Sequence, residues 1–144
     1  MTDSKAQLVT RFFKAIVNGG DEACLKEILS DEVRWNVPPS VMPQFRGPHI
    51  GLAGAMYLVG DAGDTLYVAG SSSYTILNLL VDGDQAAAQC RFKARMAAGP
   101  SYDNSYAFFF RFAGEKIVEI WEHLDMGYLY GRLQLDPDWV RESV

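Results

Sequence analysis

Two glycine turns constrain this chain more than any other feature. Asp82-Gly83-Asp84 and Ala113-Gly114-Glu115 each sit between long runs in which apolar and polar side chains alternate. Alternation at period two marks a strand with two unlike faces, and a short glycine loop between two such runs closes an antiparallel hairpin. The runs are residues 74–81, 85–96, 102–112 and 116–125, with Gly99-Pro100 breaking the chain between the second and third. The second half of the sequence therefore predicts an antiparallel meander.

The first half has a different period. Asp3 or Ser4 can cap a helix whose apolar residues, Leu8, Phe12, Ala15 and Ile16, recur at three-to-four spacing until Gly19-Gly20 stops it. Asp21 opens a second, short helix with Leu25, Ile28 and Leu29 apolar. Residues 33–37 read as a strand closed by Pro38-Pro39. After Gly47-Pro48 an apolar, glycine-containing helix runs to about Val59. Met126 to Leu133 is apolar and aromatic and is expected to cover part of the fold, and Asp136-Pro137 can open a short terminal helix. Helices first and a meander second predict an α+β domain, with three N-terminal helices packed on one face of a mainly antiparallel sheet. At 144 residues, without repeat or linker, residues 1–144 make a single domain large enough to bury a core without disulfide or metal.

Composition narrows the partners. Thirteen Lys and Arg against 18 Asp and Glu leave a net charge of −5, which disfavours nucleic acid or an anionic membrane. Cys24 and Cys90 lie far apart with no histidine nearby, so no metal or redox spacing is present. The N-terminus lacks an apolar core segment, and no apolar run approaches the ~20 residues that span a bilayer. A cytoplasmic protein without metal or organic cofactor is the expectation.

The segment IVEIWEHLD, residues 117–125, holds three acids and one of the two histidines. Glu119, Glu122 and Asp125 have helical spacing, but Ile117, Val118, Ile120 and Trp121 are strand formers. In a strand, Val118, Ile120, Glu122 and Leu124 share one face, and Ile117, Glu119, Trp121, His123 and Asp125 the other. Glu122 then stands alone among aliphatic neighbours. With a three-residue loop at 113–115, Phe112 pairs with Lys116, Tyr106 faces Glu122 and Asn104 faces Leu124. A two-residue loop instead sets Trp121 and His123 against the aromatic row Tyr102, Tyr106, Phe108, Phe110 and Phe112. A carboxyl on an apolar wall has a raised pKa suited to proton transfer near neutrality. Asp125, ending the strand, reads as a cap for the turn that follows. His123 reads as structural, and His49, at a Gly-Pro-flanked helix start, has no partner in view. Trp35 reads as core, and Tyr57 as core, rim or pocket. Arg91, Lys93 and Arg95 alternate with Cys90, Phe92, Ala94 and Met96, a pattern that turns the basic row toward solvent.

Three stretches carry a resemblance: RFFKAIVNGGDEACLKEILSDEVRW, FRGPHIGL and SYDNSYAFFFRFAGEKIVEIWEHLDMG. Across most of its length the chain resembles the nuclear transport factor 2-like superfamily in its SnoaL-like branch. That branch includes ketosteroid isomerases, polyketide cyclases and limonene-1,2-epoxide hydrolase. The resemblance implies a cone-shaped fold with a pocket between helices and curved sheet, and a homodimer formed through the outer sheet face. Individual activities match unevenly. The isomerase's basic Asp falls at Asn36-Val37, its first-helix oxyanion Tyr at Phe12 and its oxyanion acid near Phe108, so steroid isomerisation is not implied. The epoxide hydrolase's catalytic Asp falls at Glu122 and its water-holding Asn at Asn36. Its water-holding Tyr falls at Arg34, and its Arg-x-Asp pair at Gln89 and Arg91. This alignment turns Arg91 inward, where it can pair with Glu122. SnoaL-like cyclases use an acid on the final strands as base, a part open to Glu122.

These readings meet in an enzyme of isomerase, cyclase or hydrolase type, acting by acid–base chemistry on a hydrophobic carbonyl or epoxide substrate. Glu122 and Tyr106 are the catalytic candidates. Asn36, Asn104, Arg91, Trp35, Tyr57 and Leu124 are the substrate-binding ones. The alternative is a non-catalytic binding protein for an apolar small molecule.

Overall fold

The computed structural model describes residues 3–134, so the expected helix at Asp136-Pro137 lies outside the described residues. Ser4 caps α1 (Lys5–Ala15) in a reciprocal box, its side chain accepting from the Gln7 amide while the Gln7 side chain accepts from the Ser4 amide. Leu8, Val9, Phe12 and Phe13 form its buried stripe. Asp21 caps α2 (Glu22–Ile28), which runs directly into β1 (Leu29–Asn36). The second strand, β2 (His49–Ile50), is only a bridge-length edge, and α3 (Gly51–Met56) follows it, continuing as a π-helical turn over Tyr57–Ala62.

The meander is β3 (Ser73–Asp82), β4 (Gln85–Arg95), β5 (Ser101–Ala113) and β6 (Lys116–Leu124). Strand order is β2-β1-β6-β5-β4-β3, antiparallel except where β1 runs parallel to β6. A fourth helix, α4 (Met126–Leu133), follows the last strand. The expectation of three N-terminal helices thus needs amending. Three helices do precede the meander, but β1 and β2 lie between the second and third, and α4 is added at the other end.

One face of the sheet is the core. Tyr102, Asn104, Tyr106, Phe108, Phe110 and Phe112 alternate as buried residues along β5. Phe12 and Phe13 of α1 pack edge-on against Phe108 and Phe110 at ring-centroid distances of 5.0–6.0 Å.

The β5–β6 register corrects the expectation from the sequence. The loop has two residues, Gly114 and Glu115, with Gly114 at φ +59°, and Ala113 pairs with Lys116. Phe112 pairs with Ile117 and Arg111 with Glu119, so Val118 is an extra residue in β6. That bulge reverses the alternation once. Ile117 is therefore buried rather than outward, and beyond the bulge Ile120, Glu122 and Leu124 face inward. Glu122 pairs with Phe108, not Tyr106, and it is Tyr106 that pairs with Leu124.

Candidate active site

Between the helices and the inner sheet face lies a cavity of ≈ 100 Å³. Its floor is aromatic, from Trp35, Tyr74, Phe92 and Tyr106, and its upper wall is aliphatic, from Val41, Leu58, Leu66 and Leu129. Tyr67, on the connection before β3, also lines it. Glu122 projects into this space from β6, and Asp64 is the other carboxylate on its lining. Among the described residues, no Lys, Arg or His lines it.

Glu122 Oε1 accepts a hydrogen bond from Trp35 Nε1 at 3.0 Å. The bond joins residues 87 apart in sequence because β1 lies parallel to β6, with Trp35 paired to Ile120. Burial pushes the Glu122 carboxyl up to about 7, and the indole N–H opposes this by favouring the charged form. Among the described residues, no arginine offsets it. Arg91 lies on the outer face, its Nε 2.8 Å from Asp103 Oδ1 and its terminal nitrogen 2.9 Å from the Asp103 carbonyl. The alternating pattern predicted this side correctly, and the inward placement taken from the family alignment is corrected.

The other sequence candidates divide. Trp35, Tyr106 and Leu124 line the cavity with Glu122. Asn36 does not: one residue beyond Trp35 on a strand, it points to the opposite face, donating to Glu119 at 3.2 Å and to the Ile120 carbonyl at 3.1 Å. Tyr57 is half exposed, stacks on His49 and donates to the Gln44 carbonyl at 3.0 Å. Asn104 is buried behind the wall rather than in the cavity, in a group with the Tyr102 and Tyr106 hydroxyls. Among the described residues, no hydrogen bond joins Glu122 to Tyr106.

Sequence reasoning missed Tyr67 and Tyr74. Burial raises the hydroxyl pKa of both well above the ordinary value, and the nearby Glu122 charge adds to it. Tyr74 shares β3 with the exposed Leu77 and Leu80, and only its alternation with Ser73 and Thr75 signals an inward side. Tyr67 lies in a turn-rich stretch that carries no such signal. Among the described residues, no group of three or more His, Cys, Asp or Glu is placed to hold a metal ion, and no helix is long and apolar enough to cross a membrane.

The profile of the SnoaL-like domain matches residues 9–120. The chain belongs to the SnoaL-like family. Solved structures agree on the nuclear transport factor 2-like fold. One neighbour is such a protein of unknown function from Burkholderia pseudomallei, with TM-score 0.77, 16% identity, and 88% of this chain and 94% of the other covered. Another is IdmH of Streptomyces antibioticus, a candidate polyketide cyclase, with TM-score 0.75, 15% identity, and coverage of 92% and 100%. A third, from Jannaschia sp. CCS1, is a candidate SnoaL-like polyketide cyclase, with TM-score 0.74, 14% identity, and coverage of 95% and 99%. At these identities the likeness is one of fold. No curated protein matches the sequence.

Proposed function

We propose that this SnoaL-like protein is an acid–base enzyme of cyclase or isomerase type, acting on an uncharged, hydrophobic carbonyl compound. The observation that carries the reading is Glu122, a carboxyl held by Trp35 in an apolar cavity and brought to about 7. Near neutral pH it exists in both forms. As carboxylate it takes a proton from carbon next to a carbonyl, and the C–H electron pair moves to the carbonyl oxygen as an enolate. The enolate carbon then either forms a bond to a second carbonyl carbon or takes the proton back at another position. Glu122 returns the proton in either case, to the new alkoxide or to carbon. Epoxide opening is the weaker reading, because Arg91 is engaged with Asp103 on the far face. The partners are that small molecule and, across the outer sheet face, a second copy of the chain.

The test is hydrogen exchange at the methyl carbon of acetophenone in D₂O, followed by NMR. Wild type should accelerate it, and the rate should rise with pH through about 7. Glu122→Gln should abolish the acceleration. If wild type binds the ketone without accelerating exchange, the non-catalytic binding reading takes its place.

A further inference from the structure

Asn104 is 2% exposed and its side chain does not reach the cavity. Its bonds nevertheless fix a direction. Oδ1 accepts from the Ser105 backbone N–H at 2.7 Å, and Nδ2 donates to the Asp125 carbonyl at 3.0 Å. A backbone N–H can only donate and a carbonyl can only accept, so the amide has one allowed orientation. The second Nδ2 hydrogen goes to the Tyr102 hydroxyl, 2.7 Å away. Tyr102 thus receives from Asn104, which leaves its own hydrogen for another acceptor. Its hydroxyl lies 3.0 Å from that of Tyr106, a contact in which either can donate, and the Tyr67 ring lies 5.2 Å from that of Tyr102.

Tyr102 stands behind the wall, whereas Tyr106 and Tyr67 line the cavity. Among the described residues, neither the Tyr102 nor the Tyr106 hydroxyl has a carbonyl or carboxylate partner. We propose that Asn104, Tyr102 and Tyr106 form a one-way donor relay into the cavity, and that it holds the carbonyl oxygen of a neutral ligand at the Tyr106–Tyr67 end. The lining supports the neutral class: with two carboxylates and no cation among its described residues, it repels a ligand carboxylate or phosphate. Tyr106 touches the ligand, while Asn104 and Tyr102 are positioning residues. The proposal deepens the acid–base reading and rests on it for where the ligand sits, but its test requires no turnover.

The probe is acetophenone labelled with ¹³C at the carbonyl, bound to the full chain, and the readout is its carbonyl stretch by isotope-edited infrared spectroscopy. Wild type should move the stretch to lower wavenumber than in hexane. Tyr106→Phe should lose the shift. Tyr102→Phe, which keeps the ring and its packing, should lose part of it, and Glu122→Gln should keep it. Asn104 variants would also strand the backbone of Ser105 and Asp125, so Tyr102→Phe carries the relay test. A merely structural role for Tyr102 would change stability and leave the frequency alone. Failure of the ketone to bind, an unshifted carbonyl in wild type, or a shift untouched by Tyr106→Phe or by Tyr102→Phe overturns the proposal. An intact shift without hydrogen exchange would instead sink the role of Glu122 and leave the relay standing.

Discussion

At the scale of one residue, Glu122 is governed by what surrounds it. It lines the cavity, its one hydrogen-bond partner among the described residues is an indole, and phenols and hydrocarbon share the lining with it. Desolvation wins over the single N–H donor, so the folded protein binds its proton more tightly than the unfolded chain does. The sign for stability follows. Below about pH 4.5 the acid is protonated in both states and costs nothing. As pH rises toward 7 the unfolded chain loses the proton first, and the fold weakens. The loss is complete above the folded value, on the order of 3 kcal/mol. Glu122→Gln keeps an acceptor for Trp35 and removes the titration. Urea unfolding should find the variant gaining about 2 kcal/mol on wild type between pH 5 and pH 8.5. An equal difference at both pH values would mean that Glu122 ionises as it does in water.

At the scale of elements, two features decide whether the site exists. One is α4, which Asp125 caps by accepting from the Tyr128 amide at 3.0 Å. The helix brings Leu129 to the cavity wall, and the Tyr128 hydroxyl accepts from the Asp103 amide. Asp125→Ala should cost about 1 kcal/mol in chemical denaturation, and Asp125→Asn should restore most of it because Asn caps as well. If alanine costs nothing, or Asn fails to restore, the cap is not what holds α4. The other feature is the Val118 bulge. Strand positions were legible because alternation and glycine turns are local. The cap at Asp125 was legible for the same reason. The bulge was not, since nothing in Lys116-Ile117-Val118-Glu119 marks the extra residue, and it moved Glu122 from Tyr106 to Phe108. Glu122 still faced the pocket, because a two-residue turn and one bulge together restore the parity that a three-residue turn would have given. The Trp35 bond was hidden for a different reason: it depends on parallel pairing of strands from opposite ends of the chain, which no local pattern encodes. Asn36 failed as a candidate by alternation itself, since its neighbour Trp35 faces in.

At the scale of the whole molecule, the sheet has one covered face and one open one. On the open face, Leu80 is 70% and Phe109 48% exposed. They border a groove of ≈ 390 Å³ with Ala87, Trp121 and His123, and the His123 ring meets Phe109 edge-on at 6.0 Å. The ion pairs Arg91–Asp103 and Arg111–Glu119 lie on the same face. An apolar strip accompanied by charges of both signs suits a two-fold contact, in which each copy offers the same surface and each cation can meet the other copy's acid. Uncovered, the strip would keep large apolar side chains in water beside an edge strand, β3, that is ten residues long. We therefore expect a dimer by light scattering coupled to size-exclusion chromatography. Leu80→Glu combined with Phe109→Glu should give a monomer, because two carboxylates per copy would be buried without partners. The cavity lies on the opposite side of the sheet, so acetophenone should still bind that monomer. A wild-type monomer at the highest soluble concentration, or a double variant that remains dimeric, would place the contact elsewhere.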